Sequence, residues 1–358
     1  MSEAKGIATA AVVIMFLVFL TVLAGTHGNV PAAAPAGAAG DMASMPGAQN
    51  GAAPAANVKS VAAATPSAPH TAMSALLPPA GAESTKKITL EVKDARLEVS
   101  PGVVADLWTF DGSVPGTALH VRQGDTVDFT LINHGSTNHS IDFHAAQTPW
   151  DVNYQSIGAG QTLHFTFKAN YPGVFMYHCG TPPVLMHLSM GMYGAIVVDP
   201  AEALPKADHE YVLVQSEYYL TMDSKGLYQT DYTKAALGNP DYVVFNGFAN
   251  QYAAAPLTAN PGERIRLYVM NAGPSTTSAF HVIGALFDKI YPGNNPKNVI
   301  NGEQTYSIPP GGGATFDLVI PDKGLYPFVT HSFASTGKGA LGLINVGNVP
   351  LPGTGASH

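Results

Sequence analysis

From residue 86 onward the chain is written in short alternations. ITLEVKDARLEV, VADLWTF, LHVRQGDTVDFTLIN, TLHFTFKA and GAIVVD place apolar residues at every second position, and PG, DG, QGD and NHG separate them. A period of two is what a half-buried strand requires, because successive side chains of an extended backbone point to opposite faces. A surface helix would instead repeat its apolar residues three and four apart. With 37 glycines, 28 prolines and only 12% charged residues, the composition also suits a turn-rich β protein rather than a helical bundle. The same texture resumes near residue 209 in HEYVLVQSEYYL, ERIRLYVMNAG, GATFDLVI and GALGLINVG. Both halves run a strand into a polar turn, RQGDTVDFTLINHG in the first and NPGERIRLYVMNAG in the second. The expectation is therefore all-β, with two tandem Greek-key β-sandwiches over 86–200 and 201–350, a seam near Asp199–Pro205 and a tail at 351–358.

The N-terminal part reads differently. Residues 7–25 form an uncharged apolar run behind Lys5, long enough to span a bilayer and followed by no clear small-residue cleavage site. A membrane anchor or a signal segment is expected over 1–25, the retained anchor being favoured over a cleaved signal, and either places the rest on the extracytoplasmic or periplasmic side. Residues 26–85 are rich in Ala, Pro, Gly and Ser and lack the large side chains that build a core. They read as a disordered linker, in which Met42, Met45, His70 and Met73 are incidental.

One cysteine in an exported chain cannot form an internal disulfide. Cys179 lies in YHCGTPPVLMHLSMGM, where Cys179, His187 and Met192 follow the spacing C-x7-H-x4-M, and His139 lies upstream in NHSIDFH. Two imidazoles, a thiolate and a weak thioether are the donor set of a type 1, blue-copper electron-transfer site. Met192 is preferred to Met186 and Met190, since four intervening residues let the chain swing its sulfur back over the metal.

Strand alternation then suggests a second site. If Cys179 faces the type 1 copper, His178 faces away from it. On a continuous strand His139 and His144 also point oppositely, so His144 joins His178, and Asp142 shares the face of His144. Two imidazoles do not close a metal site, and a third ligand must come from elsewhere. His281 in SAFHVIG and His331 in PFVTHSF are the candidates in the second half. His209 lies by the seam and His358 ends the chain. His120 and His164 fall on the polar phase of strands and His134 in a turn, so no role is expected of them.

Taken together, HSIDFHAA, GVFMYHC, the stretch from PPVLMH to GMYGAIVVDP, SAFHVIG and THSFASTGKGALG resemble copper-containing nitrite reductase over about residues 88–347. The spacing from Cys179 to His187 is similar to that of the family's form with the shorter type 1 ligand loop. The resemblance implies two cupredoxin domains per subunit, a homotrimer, and one type 1 and one type 2 copper in each subunit. It implies that His139, Cys179, His187 and Met192 hold type 1 copper. His144 and His178, with His331 reaching in from a neighbouring subunit, would hold type 2 copper. Asp142 and His281 would be the catalytic pair, and Ile283 would shape the substrate pocket. The implied reaction is reduction of nitrite to nitric oxide and water by one electron and two protons. A small donor protein, a cupredoxin or a c-type cytochrome, would supply the electron, which passes through Cys179 and His178. The chain departs from the commoner family pattern at 147–156, where QTPWDVNYQS replaces a Gly-rich run.

A net charge of -8 argues against nucleic acid as a partner. Two other functions stay open at this level: a two-domain multicopper oxidase, and a non-catalytic electron-transfer cupredoxin. The oxidase reading is opposed by the absence of any H-x-H among 13 histidines. The carrier reading leaves Asp142, His144, His178, His281 and His331 without a purpose.

Overall fold

The alternating runs fold into strands that bury their apolar phase between sheets. The computed structural model describes Pro66 and residues 69–351. In the first half the strands are β1 (Thr85–Ser100), β2 (Val103–Phe110), β3 (Leu119–Arg122), β4 (Thr126–Asn133), β5 (Asp142–Phe143), β6 (Thr162–Lys168), β7 (Gly173–His178) and β8 (Tyr193–Asp199). Short helices α1 (Trp150–Asn153) and α2 (Val184–Ser189) interrupt them. The second half adds β9 (His209–Tyr218), β10 (Leu220–Met222), β11 (Tyr228–Thr230), β12 (Tyr242–Phe245), β13 (Leu257–Ala259), β14 (Arg264–Asn271) and β15 (Ser278–Val282). It continues through β16 (Phe287–Pro292), β17 (Ile300–Glu303), β18 (Thr305–Ile308), β19 (Gly313–Val319), β20 (Gly324–Thr330) and β21 (Leu341–Val346). Helices α3 (Tyr232–Ala236), α4 (Gln251–Ala254) and α5 (Phe333–Thr336) lie between strands of this half.

The two halves repeat one pairing scheme. β1 pairs with β4 in parallel and with β2 antiparallel, and β4 pairs antiparallel with β6. Correspondingly, β9 pairs with β14 in parallel and with β12 antiparallel, and β14 pairs antiparallel with β19. The facing sheets match as well: β3-β8-β7-β5 in the first half corresponds to β13-β21-β20-β15 in the second, each beginning with a parallel pair. The result is a cupredoxin-like β-sandwich architecture used twice. The hairpin β10–β11 leaves the second half to extend the sheet of β2 and β1.

Alternation along β7 positions the chemistry. Tyr177 and Cys179 point into the first sandwich core, with Val92, Phe129, Phe143 and Ile196. Val174 and Met176 take the other face and pack between the halves, against Val212, Val214, Tyr268 and Met270. His178 continues this second phase, so the dipeptide His178–Cys179 divides its side chains between the two faces of one sheet.

Two expectations change in detail. The segment around His139 and His144 is not one continuous strand, because β5 comprises Asp142 and Phe143 alone and His139 makes an isolated bridge to Ile157. The two imidazoles nevertheless take opposite sides. The run at 7–25 and most of the stretch at 26–85 lie outside the described residues, but the end of that stretch is ordered. Leu76 bridges to Tyr211, Val212 N donates to Ala75 O at 2.7 Å, and Ala75 is buried in the second-half core. His120, expected to be idle, ties this segment down by donating from Nδ1 to Pro78 O at 2.7 Å, while Nε2 meets Asp199 at 2.8 Å. Backbone hydrogen bonding to β9 orders residues whose small side chains supply little core. Among the described residues no helix is long and apolar enough to cross a membrane.

Candidate metal centres

The first donor group forms where β7 ends and α2 begins. His187 Nδ1 lies 3.1 Å from Cys179 Sγ and 3.3 Å from His139 Nδ1, and His139 Nδ1 lies 3.9 Å from the same sulfur. Burial pushes both imidazoles down to about 4, helped at His139 by the charge His187 would carry, so both are neutral and metal-ready at neutral pH. Two buried ring nitrogens facing each other beside a thiol satisfy one another poorly, and His139 Nε2 has no hydrogen-bond partner at all. A cation shared by the three atoms resolves the conflict, and N, N and S are the donors soft enough for copper. At an imidazole–metal bond of about 2.0 Å, nitrogens 3.3 Å apart subtend a roughly tetrahedral angle.

The loop that returns to this group is held by its backbone. Met192 N donates to His187 O and Cys179 N donates to Met192 O, both at 3.1 Å, and Met192 is wholly buried. Gly191 makes the turn possible with φ +106, and a Cβ there would lie 2.5 Å from Val114 Cγ2. Met190 is also buried, yet its carbonyl is used to accept from Trp108 N at 3.1 Å; Met186 is half-buried on α2. Ser140 N donates to Cys179 Sγ at 3.3 Å, which holds the sulfur in place within the donor group.

The second donor group lies on the other face of the sheet. His144 Nε2 and His178 Nε2 are 3.1 Å apart with their rings nearly perpendicular, and Asp142 Oδ2 is 3.8 Å from His178 Nε2. Burial, then the neighbouring His178, lowers the His144 pKa, which keeps that lone pair available. His178 donates from Nδ1 to Cys179 O at 2.9 Å, and a backbone hydrogen bond ties His144 to Gly311 in the β18–β19 turn. Each ring therefore has one nitrogen committed to the protein and one left for a metal.

These two groups, His139 with Cys179 and His187, and Asp142 with His144 and His178, each bring their ligand atoms within 4.8 Å of one another. Neither His281 nor His331 of the same chain joins them. Those two sit together on β15 and just beyond β20, ring centroids 5.4 Å apart, and His331 is exposed beside Phe333. His281 donates from Nδ1 to Gln304 O at 2.7 Å, leaving Nε2 free, and Ile283 is exposed two residues further on. At 147–156 the departing loop contains α1, with Trp150 exposed and Tyr154 turned inward to donate to Phe143 O at 3.2 Å. Ser156 meets the Thr181 hydroxyl at 2.8 Å, so the loop is fastened near both donor groups.

Sequence reasoning missed Trp108, Ser140 and Gly311. Trp108 reads as an ordinary strand residue, Gly311 acts through its backbone, and Ser140 serves the sulfur through its backbone N and its hydroxyl, which also accepts from Gly180 N at 3.0 Å.

Comparison with known proteins gives consistent relatives. Models of the family described as multicopper oxidase match residues 91–203 and 209–285. A copper-containing nitrite reductase of Neisseria gonorrhoeae is 40% identical over 273 residues, which is 74% of this chain and 69% of that protein. The structure of a copper nitrite reductase from Nitrosomonas europaea superposes with a TM-score of 0.69 at 41% identity, covering 76% of this chain and 98% of the other. A copper-containing nitrite reductase from Thermus scotoductus SA-01 gives the same TM-score of 0.69 at 34% identity, over 75% of this chain and 63% of the other.

Proposed function

The chain belongs to the copper-containing nitrite reductases, and from that premise we propose how its residues divide the work. It is a copper enzyme that reduces nitrite to nitric oxide and water, taking up one electron and two protons. The observation that carries the assignment of roles is the dipeptide His178–Cys179, whose side chains enter two different donor groups on opposite faces of one sheet. His139, Cys179, His187 and Met192 hold type 1 copper, where the electron enters. His144 and His178 hold type 2 copper, with His331 of a neighbouring copy as third ligand. Copper bound at these sites supplies one-electron redox chemistry and a Lewis-acidic position for nitrite oxygen.

The remaining steps fall to the protein. The peptide bond between Cys179 and His178, reinforced by the His178–Cys179 O hydrogen bond, is the short path between the groups. Asp142, beside His178, donates one proton to the nitrite oxygen that leaves as water when the N–O bond breaks. His281, with Nε2 free, supplies the second proton, and Ile283 bounds the pocket. Ile283, two residues from His281, and Phe333, packed on His331, are both exposed and support burial of these positions against another copy in a homotrimer. A division into domains at 86–200 and 201–350, export, tethering by residues 7–25 and a small protein donor complete the reading.

An oxidase has the name of the matched family models in its favour. Against it, the described residues bring together two donor groups and no larger histidine cluster. The deciding test is nitric oxide formation from nitrite by the copper-loaded protein with an artificial electron donor. Two coppers per subunit and nitric oxide production are expected; oxygen consumption without nitric oxide would sink the assignment.

A further inference from the structure

Both imidazoles of the first donor group are closed off from water: His139 is 0% exposed and His187 4%. An electron must still reach them from outside, and electron transfer weakens steeply with every layer of intervening atoms. Besides the two imidazoles themselves, one aromatic side chain among the described residues packs against either ring, and it packs against both. The Trp108 indole meets His139 edge-on at a centroid distance of 5.2 Å and lies tilted over His187 at 4.8 Å. Trp108 is itself only half-buried, so part of this residue meets the exterior while its indole touches both ligand rings. Its backbone is fixed on two sides, by pairing opposite Asp94 on β1 and by the bond from Trp108 N to Met190 O in the ligand loop.

We propose that Trp108 is the electron-entry residue of the type 1 site. A reduced donor protein docks against the exposed part of Trp108 and loses one electron. That electron crosses the indole to copper held by His139, Cys179 and His187, reducing Cu(II) to Cu(I), and Trp108 is left unchanged. The same indole keeps water off the imidazoles. Water would stabilise the more highly charged oxidised state, so Trp108 also holds the reduction potential up. It is a positioning residue, acting through the ligand rings rather than on nitrite. The inference rests on the copper reading of this site.

The test is stopped-flow reduction of the copper-loaded protein without nitrite, following loss of the blue absorption. The donors are a reduced basic c-type cytochrome, chosen against the net charge of -8, and dithionite. In Trp108→Leu the cytochrome reaction should slow by about tenfold or more, with the dithionite reaction not slowed and the reduction potential lowered. Trp108→Phe should recover most of the cytochrome rate. Equal cytochrome rates in the wild type and Trp108→Leu would overturn the proposal. A wild-type protein that binds no blue copper would overturn the copper reading instead. Should Trp108→Leu fail to take up copper, Trp150→Phe leaves Trp108 as the remaining one of the chain's two tryptophans. Its fluorescence should then be strongly quenched on copper loading, and emission indifferent to copper would overturn the contact on which the proposal depends.

Discussion

His178 donates from Nδ1 to the carbonyl oxygen of Cys179, its own neighbour in the chain, across 2.9 Å. A carbonyl can only accept, so Nδ1 carries the proton and Nε2 presents its lone pair toward His144 Nε2, 3.1 Å away. The residue that gives its sulfur to one donor group thus fixes the tautomer of an imidazole in the other. The two sites are coupled through backbone as well as bond.

That division of labour predicts separable losses. His144→Ala removes one of the two imidazoles this chain brings to the second group and touches nothing in the first. Nitrite turnover should fall by about a hundredfold or more, with copper content dropping toward one per subunit and the blue absorption retained. Absorption spectroscopy and metal analysis on the same sample check this; a variant that lost its colour but still turned over would reverse the assignment of the ligands.

The second group is also only as rigid as the core behind it. Phe143 lies between Asp142 and His144, is 1% exposed, and packs edge-on against Phe129 at 4.8 Å and tilted against Phe167 at 5.0 Å. Phe143→Ala should cost about 3–5 kcal/mol of stability. Urea unfolding measures that cost, and copper at the second group should become easier to remove with a chelator. A loss below about 1 kcal/mol would mean that neighbouring rings close the cavity.

How much of this was legible beforehand follows from what each signal depends on. Strand alternation depends on residue type alone, so the opposite facing of His178 and Cys179 could be read directly. So could the grouping of His139 and His187 with the chain's only cysteine. The Gly311 contact to His144 and the Trp108 contact to two imidazoles depend on which distant strands adjoin, and no local pattern reports that. The segment from Pro69 misled for a related reason. Its Ala- and Pro-rich composition correctly signals a poor core, but order there comes from main-chain bonds to β9, which composition does not reveal. His331 joins neither donor group within one chain, so its proposed use as a neighbour's ligand rests on the family resemblance and on no local residue pattern.

Acid should weaken the second half through a site remote from either donor group. Glu263 accepts from the side chain and the backbone N of Asn260 and meets His209 Nε2 at 2.7 Å, and these bonds hold its carboxyl down from 4.5 to about 2. A depressed carboxyl contributes stability that is present above about 4.5 and is lost as pH falls toward about 2. Glu263→Gln should therefore have a lower urea midpoint than the wild type near pH 6, with the gap closing between those two values. A gap that stayed constant across that range would show that the carboxylate charge contributes nothing.

The origin of the third ligand at the second group is open to a test that does not depend on any single variant being active. His331 does not join His144 and His178 within one chain. If it serves a neighbour, each complete site needs His144 from one copy and His331 from the next. His144→Ala and His331→Ala should each be nearly inactive as pure proteins. In a closed ring with head-to-tail contacts, equal co-expression of the two variants places an intact His144 beside an intact neighbouring His331 at about a quarter of the interfaces. Nitrite turnover of the mixed protein should recover to about that fraction of the wild-type rate. Were His331 to act within its own subunit, every subunit of the mixture would lack one ligand. The mixture would then be as inactive as its parents, and the interfacial site would be ruled out.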